Sequence, residues 1–476
     1  MKPAIFFLLA AALLGGAGTE AARGGEPPLP AGLGGAADSE EPALPPGLFG
    51  ETESEPPLPS SLERETEEWN REGPGLPFDL AGFADARAGA RTQRDPYEKE
   101  LSLGEVRLQL EAEKGWDRAS FRVRSDFLYD PVYDHGTVDL ETGRGWLDLR
   151  ELRGTITPVS FADVRLGRQI VTWGTGDLLF INDMFPKDWQ SFFIGRDTEY
   201  LKAPSDAAMV SAFSPLVNLD VVYTPCFDAD RYIDGSRLSY FNPALGRLAG
   251  RDAVVQVERP QTWFSDDETA ARLSRTVGEY ELAAYGYWGY WKSPAGMDPA
   301  TGKSTFPPLS VYGASIRGPL GSGIANLEGG WYDSRDDAGG SNPLVRNGEL
   351  RLLAGYELEL AADFNAGFQY YLEHMLNYDA YRDHLMPGEH PRDEARHVLT
   401  LRLTRRLLSQ NLVLSFFGYW SPSDEDFYLR PNVSYRIDDH WSAEVGGNVF
   451  WGVYDWTFFG QFRNDTNVYA AVRCSI

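Results

Sequence analysis

Cysteine is nearly absent: the chain of 476 residues holds two, Cys226 and Cys474. That excludes a disulfide-stapled scaffold and a covalently attached haem, which needs two cysteines and a histidine in one short motif. Histidine is scarce as well, with six residues, four of them at His374, His384, His390 and His397. These four stand near Glu373, Asp379, Asp383, Glu389 and Asp393, but the spacing matches no zinc motif, and a solvated acidic loop is the expectation. Asp228-Ala229-Asp230 with Asp234-Gly235 lacks the calcium-loop pattern. No serine has a general base at a fixed spacing, so no catalytic residue, metal or cofactor is expected. A surface hydrolase built on the loop histidines remains the weakest of the readings.

Long apolar runs are also missing. Beyond the N-terminus nothing approaches 18 uninterrupted apolar residues, which excludes a bundle of membrane helices. Net positive charge is missing too: the balance is −26, with 44 bases against 70 acids, and a surface this acidic argues against nucleic acid as a partner.

What the chain does have is alternation. Phe427, Leu429, Pro431, Val433, Tyr435 and Ile437 alternate with Tyr428, Arg430, Asn432, Ser434 and Arg436. Trp441 to Trp451 and Val468 to Ile476 keep the same rhythm. A period of two places each set on its own face of a strand. Strands of about ten residues with one apolar face suit a closed barrel in a bilayer, apolar side out. The reading is an all-β, transmembrane antiparallel β-barrel of about 18 strands in a bacterial outer membrane, in contact with its lipid.

The strand candidates run 78–92, 101–113, 116–128, 145–157, 160–174, 205–214, 216–225, 267–276, 279–291, 309–318, 322–334, 348–360, 363–374, 394–407, 410–421, 426–437, 440–452 and 466–476. Short and long connections alternate, and an even count leaves both termini in the periplasm. That order puts Cys226 and Cys474 at opposite rims, beyond disulfide reach, so they are expected to stay unpaired. Residues 1–22 read as a signal peptide, with Lys2 before an apolar run from Ala4 to Leu14. Residues 23–77 are rich in Pro, Gly and Glu and cannot bury a core; they read as a disordered periplasmic tether, either a spacer or a docking site for a periplasmic partner. Residues 78–476 form the barrel.

The faces turned from lipid are rich in arginine: Arg107, Arg122, Arg124, Arg165, Arg402, Arg430 and Arg436 fall there by count. They either line an aqueous passage that favours anions, or pair with Glu111, Asp126, Asp148 and Glu444 and stiffen the wall. Arg168 breaks its strand's alternation, because Val164, Leu166 and Ile170 would carry it into lipid. A β-bulge at Gly167, turning Arg165 and Arg168 both inward, is the expected remedy. The stretch from Gly174 to Pro204 carries Phe180, Phe185, Trp189, Phe192, Phe193 and Tyr200 among charges, too many aromatics for a loop in water. It is expected to fold into the lumen as a constriction, with Asp183, Lys187, Asp188, Trp189 and Arg196 at the narrowest point.

Two short motifs carry a resemblance. Arg165-Leu166-Gly167-Arg168-Gln169 with Trp173-Gly174, and Phe459-Gly460-Gln461-Phe462 before Asn467-Val468-Tyr469, resemble motifs of poorly characterised porin-like outer-membrane families. In plan the chain is similar to alginate-export barrels, which implies 18 strands and an arginine-rich lumen. Such barrels usually end in Phe, part of the signal read by the barrel-assembly machinery in the C-terminal strand; this one ends in Ile476. The function expected is a channel, a porin or export duct for polar, anionic solutes. The alternative is a plugged barrel that binds or scaffolds a periplasmic or surface partner.

Overall fold

The computed structural model describes residues 78–133, 137–386 and 388–476. The expected signal peptide, the tether and His135 lie outside the described residues. Eighteen strands form one closed sheet. They are β1 (Asp79–Arg91), β2 (Leu101–Trp116), β3 (Ala119–Tyr129), β4 (Leu147–Val159), β5 (Ala162–Gln169), β6 (Ser205–Ala212), β7 (Asn218–Thr224), β8 (Glu268–Val277) and β9 (Tyr280–Tyr290). The circuit continues through β10 (Pro308–Leu320), β11 (Gly323–Ser334), β12 (Glu349–Ala361), β13 (Phe364–Met375), β14 (Ala395–Leu407), β15 (Leu412–Ser421), β16 (Asp426–Arg436), β17 (Trp441–Gly452) and β18 (Asn467–Ser475). Each strand pairs antiparallel with the next. The ring closes where β18 pairs with β1, Cys474 opposite Ala84 and Asn467 opposite Arg91. Closure leaves no unpaired edge, which is the condition for strands to cross a bilayer.

The alternation in sequence becomes two surfaces. Val433 and Tyr435 of β16, Ile437 just after it, Trp441, Val445 and Trp451 of β17, and Val468 and Val472 of β18 point outward and stay exposed. Their in-between neighbours Tyr428, Asn448, Phe450 and Tyr469 are buried inside. Trp441 and Trp451 stand at opposite ends of the outer face of β17, ten residues apart. At about 3.3 Å per residue and a tilt of about 40°, that spans roughly the 25 Å height of an apolar band between aromatic girdles. The outer wall is therefore a lipid-facing surface.

One end of the barrel carries tight turns and the other carries long loops. At the long-loop end the segments 170–204 and 225–267 are the most extensive. Cys226 follows β7 at this end and Cys474 lies at the other, and both thiols are free.

The bulge expected at Gly167 is not there. The ladders of β5 with β4 and with β6 run in unbroken register through that residue. Gly167 instead takes a φ of 116°, where a Cβ would stand 2.2 Å from the Leu152 carbonyl oxygen. A register shift does occur one strand away: Arg124 pairs with Glu151 and Ser125 with Leu149, leaving Arg150 as the extra residue. Both Arg150 and Glu151 are thereby turned inward and buried. Arg168 stays on the outward face, opposite Leu152 and Asp206. The charge is tolerated because it sits at the strand's long-loop end. Asp206 accepts from its Nε at 2.9 Å and Nη2 at 2.6 Å, and the loop after β3 adds the Leu140 carbonyl at 3.0 Å. At such a depth a basic residue costs about 0–1 kcal/mol rather than the midplane penalty.

Candidate functional site: the occupied lumen

β5 is shorter than the alternation implies, because the chain leaves the wall after Gln169 and enters the lumen. Val171 and Trp173, read as strand residues, pack instead in the lumenal core. The segment then travels along the inner wall, and its backbone groups are met by wall side chains at each step. Thr175 and Asn182 donate backbone N–H groups to Glu328 of β11 at 2.6 and 2.9 Å. Asp177 donates its N–H to Gln369 of β13 and takes both ends of the Arg402 guanidinium of β14, one at 2.6 Å. Tyr419 of β15 reaches the Leu178 carbonyl at 2.8 Å, and Asn467 of β18 the Phe193 carbonyl at 3.3 Å. Arg87 of β1 donates to the Gly195 carbonyl at 2.6 Å, and Arg150 of β4 to that of Lys202 at 2.7 Å. An irregular backbone inside a barrel leaves its polar groups without partners unless side chains supply them, and here the wall does so.

Between these anchors lies a hydrophobic core within the barrel. Phe192, Phe193, Ile194 and Leu201 of the segment pack against Tyr419, Tyr428 and Phe450 of the wall. Phe193 meets Tyr428 and Phe450 edge-on, with ring centroids 5.2 and 5.3 Å apart. A short helix, α1 (Trp189–Ile194), carries these rings and is capped by the Asp188 carboxylate on the Ser191 N–H at 2.7 Å. Gly195 ends it with a φ of 91°, where only a residue without Cβ avoids the Tyr469 ring.

The five residues expected at the narrowest point all lie inside the barrel and are engaged by neighbouring groups. Asp183 and Lys187 pair with each other at 2.9 Å and are buried. Asp188 caps α1 and meets Arg231 at 3.3 Å, while the Trp189 indole donates to Asp230 at 3.2 Å. Arg196 is held by Glu105 of β2 at 2.5 Å and by the Ser191 hydroxyl at 2.8 Å. These residues fix the segment. The acids of the segment that remain half-exposed are Asp177, facing Arg402, Asp197, 3.4 Å from Arg473, and Glu199. The expected constriction set did not include them, nor Glu328, whose lone inward carboxylate in β11 was the available signal.

The arginines divide into buried and half-exposed ones. Arg107 is 3% exposed, sandwiched between Glu105, Asp126 and the Tyr200 ring, and is wall rather than lining. Arg124 is buried on Glu151 at 2.9 Å. Arg122 is half-exposed with Glu111 at 2.7 Å, and Arg402 is tied to Asp177. Arg436 donates to Asn411 at 3.0 Å near the tight-turn end. Arg430 lies over the Phe192 ring at 4.1 Å, and Arg165 faces inward beside Met209 of β6. Among the described residues neither makes an ion pair. Of the acids expected as partners, Glu111 holds Arg122, Asp126 holds Arg107, Asp148 holds Arg231, and Glu444 holds Arg87. Arg168 is outside the lumen altogether.

The second long segment closes over the first. Arg231 bridges Asp148 of β4 at 2.8 Å, and Arg237 bridges Asp130 at 2.5 Å. Ser239 donates to Asp465 at 3.0 Å, and Asp465 also holds Arg91 at 3.0 Å. Burial pushes the Asp465 carboxyl up to about 7, against the pull of Arg91. Of the loop histidines, His390 stacks on Trp456 and His397 on Tyr370, and among the described residues no three potential ligands converge on a metal position.

No family model matches the chain, and no curated protein matches it either. Solved structures do. Two Pseudomonas aeruginosa proteins, OccK11 (OpdR) and OccK5 (OpdH), each align at 10% identity over 83% of this chain and 96% and 97% of theirs, both with a TM-score of 0.47. OmpF of Salmonella typhi, solved with daunomycin, aligns at 7% identity over 84% of this chain and 97% of its own, with a TM-score of 0.41. The chain is similar to these porins, at a level that adds nothing to the closed barrel already described.

Proposed function

We propose that the protein is an outer-membrane channel, a porin or export duct, that passes small polar, anionic solutes through a lumen narrowed by residues 170–204. The observation that carries this reading is a lipid-facing barrel around an interior of half-exposed arginines, Arg122, Arg165, Arg402, Arg430, Arg436 and Arg473. An 18-stranded ring is wide enough for an aqueous passage, and rings of charge set which ions enter it. In this reading the tight turns and both termini face the periplasm. The strand ending at Ser475 is presented to the barrel-assembly machinery, and residues 23–77 reach a periplasmic partner. The likeness to alginate-export barrels is one of overall plan, and the two sequence motifs point to porin-like families at large.

A specific observation favours a second reading. The inward segment is held by a continuous aromatic core, which suits a permanent plug in a binding or scaffold barrel. Single-channel conductance of refolded protein in a planar bilayer, with reversal potential in a salt gradient, separates the two. Steady current with anion preference supports the channel. Silence from protein shown to be folded supports the plug, and removal of residues 178–200 would then restore current.

A further inference from the structure

A cleft of about 400 Å³ opens at the long-loop end, between the loop after β3 and the loop after β7. Its polar lining includes Asp139, Arg144, Tyr232, Asp234 and Arg259, and its apolar wall includes Val255. Both acids are already satisfied by groups of the protein. Asp139 accepts from the Glu141 N–H at 3.0 Å, the Thr142 N–H at 3.3 Å and the Thr142 hydroxyl at 2.7 Å. Asp234 accepts from the Ser236 N–H at 3.0 Å, the Ser236 hydroxyl at 2.7 Å and Arg144 Nη2 at 2.5 Å.

The two arginines differ. Arg144 is spent on Asp234 and the Ser236 hydroxyl, and its unpartnered Nε is sealed from solvent. Arg259 hydrogen-bonds Tyr232 and makes no ion pair among the described residues, and Asp139 and Glu141 feel its charge at longer range. A cleft whose carboxylates are consumed and whose Arg259 has no carboxylate bound to it is matched by a ligand that brings an oxyanion. The volume falls in the range of small-molecule sites, roughly 300–1,000 Å³. Tyr232 and Val255 offer a flat apolar side to the body of such a ligand.

We infer that this cleft binds a small oxyanionic solute, a carboxylate or phosphate on a compact polar body, with Arg259 as its principal contact. The site is separate from the lumen, so it stands whether or not the lumen conducts.

The test is calorimetric titration of the refolded full chain in detergent with glucuronate, inorganic phosphate and glucose. Saturable binding of an anion but not of glucose is expected, weaker at high salt, and weakened about tenfold or more in Arg259→Gln. Refolding of the variant is confirmed by its heat-modifiable migration. Equal binding of phosphate and glucuronate assigns recognition to the oxyanion itself, and binding of one alone identifies the group. Absence of saturable binding by either anion, equal affinity for glucose, or unchanged affinity in Arg259→Gln would overturn the inference.

Discussion

Phe193→Ala tests whether the inward segment is held by its aromatic core. The ring is 2% exposed and packs within 5.0–5.5 Å, centroid to centroid, of Phe192, Tyr428, Phe450 and Phe462. Truncation of a buried phenylalanine to alanine costs about 3–5 kcal/mol, the spread reflecting how far the cavity can collapse. The surrounding wall is a closed ladder of backbone hydrogen bonds, so little collapse is expected and the upper half of that range applies. The cost falls on docking of the segment and not on the barrel, because the wall strands keep every ladder bond. Opening of the segment should then become roughly 10³–10⁴-fold more frequent, at 1.36 kcal/mol per decade. Hydrogen exchange read by mass spectrometry is the assay. Amides of 189–196 should exchange faster by that factor, while those of β14 keep wild-type protection. Equal loss of protection in segment and strands would refute the reasoning, since segment and wall would then unfold as one unit; so would unchanged exchange in 189–196.

Other perturbations probe the charges. Arg196→Ala removes one of two guanidiniums from the buried Glu105, and should destabilise the docked segment by about 3–5 kcal/mol, seen by the same exchange assay, with Glu105→Gln added in the same chain recovering part of the loss. Asp465 holds its proton more tightly when folded, at about 7 against an ordinary 3.8, so its contribution to stability is complete below pH 3.8 and is lost as pH rises through 7. Thermal melts should therefore show a smaller fall in Tm between pH 4 and 8 for Asp465→Asn than for the wild type. Arg168→Ala should leave the reversal potential unchanged, because the residue lies on the outer face; a shift would place it in the conduction path.

The barrel was readable from sequence because a lipid-facing strand must alternate, and eighteen alternating segments closed an even count. Each expected strand has its counterpart, and the largest error in an end is the five residues after Gln169. That error has a cause. Val171 and Trp173 are apolar at the spacing of a strand, and burial in a lumenal core selects the same residues as burial in lipid. Arg168 was misplaced for a different reason. Parity put it on the outer face, where it is, and the bulge expected to turn it inward was not needed, because Asp206, 38 residues further on, and Glu141, 27 residues before, neutralise it at the rim. The inward fold of the aromatic segment was legible from composition. The pairing of Asp183 with Lys187, and of Asp188 with Arg231, was not, since local charge order does not say which groups burial brings together.

The same limit bears on the arginines, whose number says less about selectivity than their distribution. Near β3 and β4 three guanidiniums, of Arg122, Arg124 and Arg153, converge on the carboxylate of Glu151, and Arg122 also reaches Glu111. Arg165 of β5 faces the same region and feels Arg153 on one side and Asp163, Asp220 and Glu151 on the other. Across the ring, Arg87 and Arg473 share three carboxylates, those of Asp85, Glu444 and Asp197, and Arg430 stands close enough to Asp197 to offset the surplus. Counting Asp163 and Asp220, both walls are close to neutral, and they differ in how the arginine without an ion pair is held: Arg165 lies among Asp163, Asp220 and Arg153, and Arg430 lies over the Phe192 ring near Asp197. If solutes pass through the lumen, reversing either charge should cost a comparable amount of anion preference. Arg165→Glu and Arg430→Glu are expected to move the reversal potential toward cations equally, in the same bilayer and salt gradient. A larger shift from Arg430→Glu would put the selective region beside Phe192, and a larger one from Arg165→Glu would put it on the β3–β5 wall.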